Sequence, residues 1–501
     1  MKKIYTKDWM TYLPYQKSDE VDTYYVKVAN KIASILKVLE EENDFSEADI
    51  HSISLYLTSW FQDIISNIGI WKTFTAECKK RYDMTVPFID PEWEDDYDSE
   101  DINIDDIHFL LWHYCQCIKS KEGAVLNPEN PGIETLAEDI YDYLFDEYEI
   151  APENQRLYNL FYGQTFGKDD FYEFRNILEW FHFCSYVGFE NREEMQNLML
   201  MLQQQQHPSQ IDLNLMAYGL KQDIIQESRK NLLSWTSVEW LAHLGETHPE
   251  TAIWADCKTY PHGSFLYQGE EGECILVQDL MEQEKELLHI RKDSLNETTL
   301  KGLKKGESTI ECSLIYYGGA WWQSGTSVIT DYTEEVQQHI KEQKHRKEEP
   351  QKSYEAFMKA SGNQLFIFCR SDKEVEEFLT QKMNYKLKEG VSFPKPEHNS
   401  GLILTASRHT GIHIQMRLCE CIYSPDSPFY DKEQAKKLAV SFILNPEVIP
   451  YDLSCALQDK GMLPDAYLNS IQGEEHGREL LKQYGKFLTD YFFRKYREKD
   501  F

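Results

Sequence analysis

The sequence predicts an α+β protein, with a helical N-terminal domain before a mixed domain that has a small curved antiparallel sheet and C-terminal helices. Three observations predict this. Apolar residues recur at three- and four-residue spacings through residues 1–250, as on one face of an amphipathic helix. Short apolar runs separated by glycine turns fill residues 262–329. Strand and helix patterns then alternate toward the C-terminus, which is typical of an α+β unit.

The helices of the N-terminal half are predicted from their apolar stripes. Residues 24–39 carry one stripe, and residues 46–64 carry a second that Ser46 would cap. Residues 106–119 (DIHFLLWHYCQCIK) are apolar on nearly every face, so we expect a buried central helix there. Further helical patterns cover residues 134–149, 169–187, 191–205, 211–230 and 236–247.

The C-terminal half changes character near residue 250. The glycine-separated runs predict a small antiparallel barrel or a strongly curved sheet. A polar run predicts a charged linker or exposed helix at 333–352, ending at Pro350. Strands are predicted at 365–369, 401–406 and 411–422, and helices at 372–383, 431–444, 452–460 and 474–497.

These patterns divide the chain into three predicted domains. Residues 1–205 form a helical domain, and residues 206–332 add helices and the barrel-like sheet. Residues 353–501 form an α+β unit with C-terminal helices. The length of 501 residues suits two to four domains of ordinary size.

Composition indicates a cytoplasmic location. No segment approaches the ~20 apolar residues of a transmembrane helix, so we expect no membrane partner. The Lys7-Asp8 pair interrupts any signal-peptide core, so we expect no such peptide. The eleven cysteines contain no CxxC pair, and we expect reduced thiols rather than a zinc site. Phosphate-binding glycine motifs are absent as well, and no cofactor is evident.

Charge is concentrated in one part of the chain. The net charge is −33, and residues 90–153 hold 20 acidic groups against two lysines. Such a field disfavours direct nucleic-acid binding by the N-terminal half and favours a basic protein partner. Alternatively, the acidity only keeps the protein soluble. The predicted partner-binding residues are Asp90, Glu92, Glu94, Asp95, Asp96, Asp98, Glu100 and Asp101.

A turn between two predicted strands offers the best candidates for catalysis. Arg408, His409 and His413 could bind an anion or act as acid and base. His413 would share one face of its strand with Gln415 and Arg417. The alternative is a polar hairpin edge.

Two Asp/Glu-x-x-His pairs lie on predicted helices, where positions i and i+3 share a face. Asp105 with His108 and Glu179 with His182 are therefore candidate metal ligands. The spacing also arises by chance, and Asp105 has a simpler role near a helix N-terminus.

Adjacent tryptophans mark the predicted barrel. Trp321 and Trp322 could stack on a ligand, with lysines nearby in the sequence. Alternatively, one of them fills the barrel and the other covers its surface.

Five stretches together resemble a family of uncharacterised proteins from anaerobic gut bacteria, known as a numbered domain of unknown function. They are MKKIYTKDWMTYLPYQK, INIDDIHFLLWHYCQ, GGAWWQSG, SPDSPFYDKEQAKKLA and GMLPDAYLN, and they span most of the chain. The resemblance implies a full-length cytoplasmic bacterial protein. It implies no catalytic residue and no cofactor.

The sequence thus favours a binding protein whose acidic residues engage a basic protein. The alternative is an enzyme acting on nucleotides or phosphoesters through the Arg408–His413 turn. A third hypothesis is a carboxylate–histidine metalloprotein. The sequence leaves open whether the protein is an enzyme, and it leaves the oligomeric state open too.

Overall fold

The fold is known from a computed structural model, which describes residues 3–41, 45–120, 125–192, 195, 200, 210–282, 286–387, 390–396 and 400–493. The chain forms two compact units. Unit 1 comprises Met1–Tyr114 and Pro131–Ile340, and unit 2 comprises Cys115–Asn130 and Lys341–Phe501. An α+β architecture with N-terminal helices, a sheet region and C-terminal helices is confirmed.

The first half of the described chain is helical, as predicted. Ser46 caps its helix by accepting a hydrogen bond from the Asp49 amide, which confirms the predicted N-cap. No helix in the described ranges is both long and apolar enough to cross a bilayer. The helices are α1 (Thr6–Trp9), α2 (Glu20–Ile35), α3 (Lys37–Glu41), α4 (Glu47–Ile65), α5 (Ile70–Tyr82), α6 (Ile104–Ser120), α7 (Pro131–Tyr148), α8 (Gln155–Tyr162), α9 (Phe171–Phe183), α10 (Gln210–Glu227) and α11 (Ser237–Gly245).

Helix α5 was not predicted, because the signal that starts it lies outside it. Its N-cap is Gly69, at φ +88, which has no side chain to accept a hydrogen bond. The cap comes instead from Asp63 near the end of α4. Its carboxylate accepts from the amides of Gly69 (3.0 Å), Ile70 (3.2 Å) and Trp71 (2.8 Å). A turn from α4 into α5 is thereby fixed by one buried side chain.

Five strands of unit 1 close into a small barrel, as the glycine turns predicted. Most neighbours are antiparallel, but β3 and β5 pair in parallel, which closes the barrel. With the short helix α12 (Glu297–Gly302) between β3 and β4, the order β1-β2-β3-β5-β4 is that of the OB-type Greek-key barrel. The strands are β1 (Lys258–Glu271), β2 (Cys274–Asp279), β3 (Leu288–Arg291), β4 (Ser308–Tyr317) and β5 (Ala320–Asp331).

Unit 2 combines a three-stranded antiparallel sheet with helices. The sheet order is β6-β7-β8, and β7 is buried along its whole length. Its strands are β6 (Phe366–Cys369), β7 (Leu402–Ser407) and β8 (Gly411–Met416). Helix α13 (Glu334–Ser361) begins in unit 1, and the helices that follow are α14 (Asp372–Glu377), α15 (Leu418–Cys421), α16 (Lys432–Ile443), α17 (Tyr451–Asp459) and α18 (Glu474–Phe492).

Three local expectations differ from the structure or lie outside it. The strand predicted over 411–422 ends at Met416, because Arg417 adopts φ +64 and α15 follows. The polar helix runs through Pro350 to Ser361 instead of ending at the proline. Most of the helix predicted over 191–205 lies outside the described residues. The three-domain division remains a prediction.

We predict that Asp63→Ala lowers the free energy of unfolding by about 3 kcal/mol or more, because it leaves three amides, two of them buried, and Tyr186 Oη without their acceptor. Urea denaturation followed by circular dichroism measures this loss. Ser46→Ala, which removes an ordinary exposed cap, is the control and should cost only about 1 kcal/mol. Equal losses in the two variants would contradict the anchoring role of Asp63.

Candidate functional site

The predicted partner-binding residues lie on one segment of unit 1, which we call the acidic segment (Asp90–Asp101). Both of its flanks are buried. Ile89 precedes it at 3% exposure, and Ile102 follows it at 6%. A single 3₁₀ turn, Glu94–Asp96, lies between them. The segment is therefore a short surface excursion held at both ends by core packing.

Helix α5 holds the acidic segment at two further points. Lys79 contacts Glu94 at 3.1 Å, and Lys72 forms an ion pair with Glu100. The Glu94 carboxylate also accepts from the Thr85 amide at 2.8 Å. Glu94 and Glu100 are thus paired within their own unit, although the Glu100 side chain remains 63% exposed.

The remaining predicted residues of the acidic segment are exposed. Asx-type contacts order the backbone between them: the Glu92 amide donates to Asp90, and the Glu100 amide donates to Asp98, both at 2.9 Å. Such contacts fix the directions of the neighbouring side chains. These six remaining residues are Asp90, Glu92, Asp95, Asp96, Asp98 and Asp101.

An exposed tryptophan stands in the middle of these carboxylates. Trp93 is 60% exposed, while seven other tryptophans rank among the largest fully buried side chains of the described protein. Its amide donates to the Asp90 carbonyl at 2.9 Å, and its carbonyl accepts from the Asp96 amide at 3.1 Å. The ring is therefore displayed on an ordered turn.

A buried hydrogen-bond network lies under the acidic segment. Tyr97 Oη donates to Asp106 Oδ1 at 2.7 Å, and it accepts from Trp71 Nε1 at 3.3 Å. Asn103 Nδ2 lies 3.3 Å from the other Asp106 oxygen. Burial raises the pKa of Asp106 to about 7, although these donors oppose the shift. The network joins α5, the segment and the start of α6.

A small cavity of about 140 Å³ lies beside this network. Its lining includes Asp63, Gly69, Trp71, Lys72, Ser99 and Glu100. That volume suits a few water molecules rather than an organic ligand.

The three candidate catalytic residues lie in and beside the β7–β8 turn. Arg408 and His413 contact different residues there. The Arg408 guanidinium lies 5.1 Å from the centre of the Tyr354 ring. His413 Nε2 lies 2.6 Å from Thr410 Oγ1, and burial lowers the pKa of His413. His409 is exposed. Within the described ranges, neither Arg408 nor His413 forms an ion pair with a carboxylate.

The residues of the two candidate metal pairs contact different partners. Glu179 forms an ion pair with Lys221, whereas His182 Nδ1 lies 2.7 Å from Ser237 Oγ. Burial lowers the pKa of His182 well below its usual range, so the ring is neutral. Burial raises the pKa of Asp105, and the nearby negative charges of Asp90 and Glu94 raise it further.

His108, the fourth metal candidate, is half-buried on α6. Among the described residues, none of the four candidates belongs to a group of three or more ligand atoms close enough to share one ion. The metal assignment therefore stays a prediction.

The adjacent tryptophans of β5 face opposite ways. Trp322 is 1% exposed, stacked 4.7 Å from Phe171, and the Arg291 guanidinium lies 4.7 Å from its ring centre. Trp321 is half-buried and packs on the barrel core beside Tyr260 and Tyr316. Of the two, only Trp321 has ring surface that a ligand could reach.

One protein-family model matches most of the chain. The family model described as "Protein of unknown function (DUF3843)" matches residues 3–298 and 317–494. The chain belongs to this family. The resemblance inferred from short motifs is thereby confirmed, and it carries no known function. A comparison with curated proteins and one with solved structures each found no match.

The DUF3843 match includes the whole acidic segment in its first range. Sequence reasoning found the carboxylates of that segment and missed Trp93, Tyr97 and Asp106. A lone tryptophan within a run of acidic residues was the available signal for Trp93. The burial of Asp106 had no comparable signal, because its position beside Asp105 is typical of an ordinary helix start.

We predict that Asp106 makes stability fall as pH rises. Its folded pKa of about 7 exceeds the ordinary value of about 4 expected in the unfolded chain. Between those values the folded state keeps a proton that the unfolded state has lost, so the free energy of unfolding falls with rising pH. Urea denaturation at pH 5 and pH 8 should show wild type losing about 2 kcal/mol more than Asp106→Asn.

The exposed Asp98→Asn is the control for this comparison and should retain the wild-type pH dependence. If wild type and Asp106→Asn lose the same stability between the two pH values, Asp106 is ionised throughout that range.

Proposed function

We propose that this chain is a cytoplasmic binding protein whose acidic segment docks a basic segment of a protein partner. The observation that carries the proposal is Trp93, exposed among six outward-facing carboxylates on a turn tied to the core at both ends. Tryptophan is enriched among the residues that dominate binding energy at protein interfaces. Arginine and lysine both pair with carboxylates and pack over indole faces.

Preorganisation supports a binding role over a purely solubilising one. A solubilising charge needs no fixed conformation, whereas binding gains when the surface is already ordered before the partner arrives. The contacts of Lys72, Lys79 and Tyr97 hold the acidic segment in one conformation. The same negative field disfavours nucleic acid as the direct ligand.

The thiols support the cytoplasmic part of the proposal. All eleven cysteines are unbridged, and burial raises the pKa of several of them, including Cys312 to about 12. Unbridged cysteines in this number are typical of a reducing compartment. The enzyme alternative at Arg408–His413 has no comparable observation, because Arg408 and His413 contact Tyr354 and Thr410 separately.

We predict that neutralising the exposed carboxylates removes the partner. The test variant combines Glu92→Gln, Asp95→Asn and Asp96→Asn, since none of these side chains forms a hydrogen bond or ion pair within the described structure. Affinity purification from the native host's lysate, with quantitative mass spectrometry, should recover a basic protein with wild type and at least tenfold less of it with the variant. The matched control, Glu334→Gln with Glu335→Gln and Glu376→Gln, should behave as wild type.

A companion variant separates specific docking from bulk charge. Trp93→Ala keeps every charge, and a binding hot spot of about 2 kcal/mol implies roughly 30-fold weaker recovery of the same protein. Phe145→Ala, at a position that is 58% exposed, is the control for removing an exposed aromatic ring. Unchanged recovery with both the charge variant and Trp93→Ala would contradict the proposal.

A further inference from the structure

A groove in unit 2 lies apart from the acidic segment in sequence and contrasts with it in charge. It runs between α17 and α18 and has a volume of about 520 Å³. Pockets that bind small organic molecules have volumes of about 300–1,000 Å³. The groove is therefore large enough for such a ligand, unlike the cavity beside Asp63.

A glycine of α18 leaves room for a side chain of α17. A Cβ at position 485 would lie 2.6 Å from Gln458 Oε1, so a larger residue there would displace the Gln458 side chain. Gln458 Nε2 also donates to Thr489 Oγ1 at 2.8 Å across the same junction. A mid-helix glycine costs about 1 kcal/mol relative to alanine, and here the tight junction explains it.

The groove lining combines an apolar floor with a cationic side. Leu457, Leu463, Ala466 and Leu481 supply the apolar part. Three cations of α18 also line the groove, at four-residue intervals that place them along one helix face. They are Arg478, Lys482 and Lys486, and they stand against a single carboxylate in the lining, Asp459.

Of the groove cations, Lys482 is the one best able to meet an anionic ligand. The Arg478 Nη2 atom lies 3.4 Å from Glu474 and 3.8 Å from Asp465, and its guanidinium carbon lies 5.7 Å from the centre of the Tyr467 ring. The Arg478 Nε–H is buried, so a ligand in the groove would not contact it. Lys482 is exposed and forms no ion pair among the described residues.

We propose that this groove binds a small amphiphilic anion, with a carboxylate or phosphate head beside Arg478 and Lys482 and an apolar body on the leucine floor. The net charge of the whole chain does not oppose this. At physiological salt, exposed charges more than about 8–10 Å away are largely screened, so the local field is set by nearby groups. These are Arg478, Lys482 and Lys486, with Asp459 in the lining and with Glu474 and Asp465 beside Arg478. Paired guanidinium and ammonium donors suit both head groups.

Fluorescence titration with 8-anilinonaphthalene-1-sulfonate, itself an amphiphilic anion, tests the groove. The native protein should bind it, and Lys482→Glu should weaken binding about tenfold because an attraction becomes a repulsion at short range. Lys482 is exposed, so the variant should fold, which circular dichroism checks. Lys437→Glu, an exposed lysine of α16 outside the groove lining, is the matched control and should change the affinity less than twofold.

A second variant tests the groove by shape instead of charge. Cys455→Tyr places a ring in the lining without altering net charge, and it should also weaken binding about tenfold. If the probe binds wild type, Lys482→Glu and Cys455→Tyr with equal affinity, or fails to bind the folded wild type, the proposal is overturned.

Displacement of the probe identifies the head group. Decanoate and decyl phosphate, each below its micelle concentration, are the two displacing anions, and octyl glucoside is the neutral comparison. Displacement by decanoate alone indicates a carboxylate ligand, and displacement by decyl phosphate alone indicates a phosphate ligand. Displacement by both indicates the shared anion chemistry. Displacement by neither, or equally by octyl glucoside, overturns the proposal.

Discussion

The surface of unit 1 that we propose as functional depends on one buried carboxylate. Asp63 receives three amides at the start of α5 and the hydroxyl of Tyr186 at 2.7 Å, so it fixes where that helix begins and how it leaves α4. Helix α5 then carries Trp71, Lys72 and Lys79 to their places under the acidic segment. The hydrogen bonds of the Asp63 carboxylate to the start of α5 therefore help to determine where Lys72 and Lys79 meet the acidic segment.

Two opposing requirements meet at the acidic segment. Clustered carboxylates repel one another, so an untethered segment would extend and lose any fixed shape. Buried flanks, two lysine contacts and the Tyr97–Asp106 hydrogen bond oppose that repulsion. Part of the free-energy cost of ordering the segment lies at Asp106, because burial disfavours its charged form. A conformation maintained at this cost is expected of a surface used for recognition more than of one used only for solubility.

Local signals in the sequence were sufficient for much of the fold, and non-local ones were not. Ser46 caps its own helix within three residues, and that helix was predicted with nearly its observed bounds. Helix α5 was missed because its cap, Asp63, belongs to another helix. Glycine turns predicted the barrel, while its closure through the parallel β3–β5 pair depends on residues far apart in the chain. The candidate site shows the same contrast between local and non-local signals. Its carboxylates form a run that is visible in the sequence, whereas the burial of Asp106 depends on packing against residues elsewhere in the chain.

Amide hydrogen exchange across residues 85–106 tests whether the acidic segment is ordered before any partner binds. The Thr85, Trp93, Asp96 and Asp101 amides all donate hydrogen bonds, and we expect them to exchange at least about tenfold more slowly than in an unstructured peptide. Tyr97→Phe, which removes the hydroxyl between Trp71 and Asp106, should speed that exchange. Exchange at unstructured rates in the wild-type protein would show that the acidic segment is not ordered on its own.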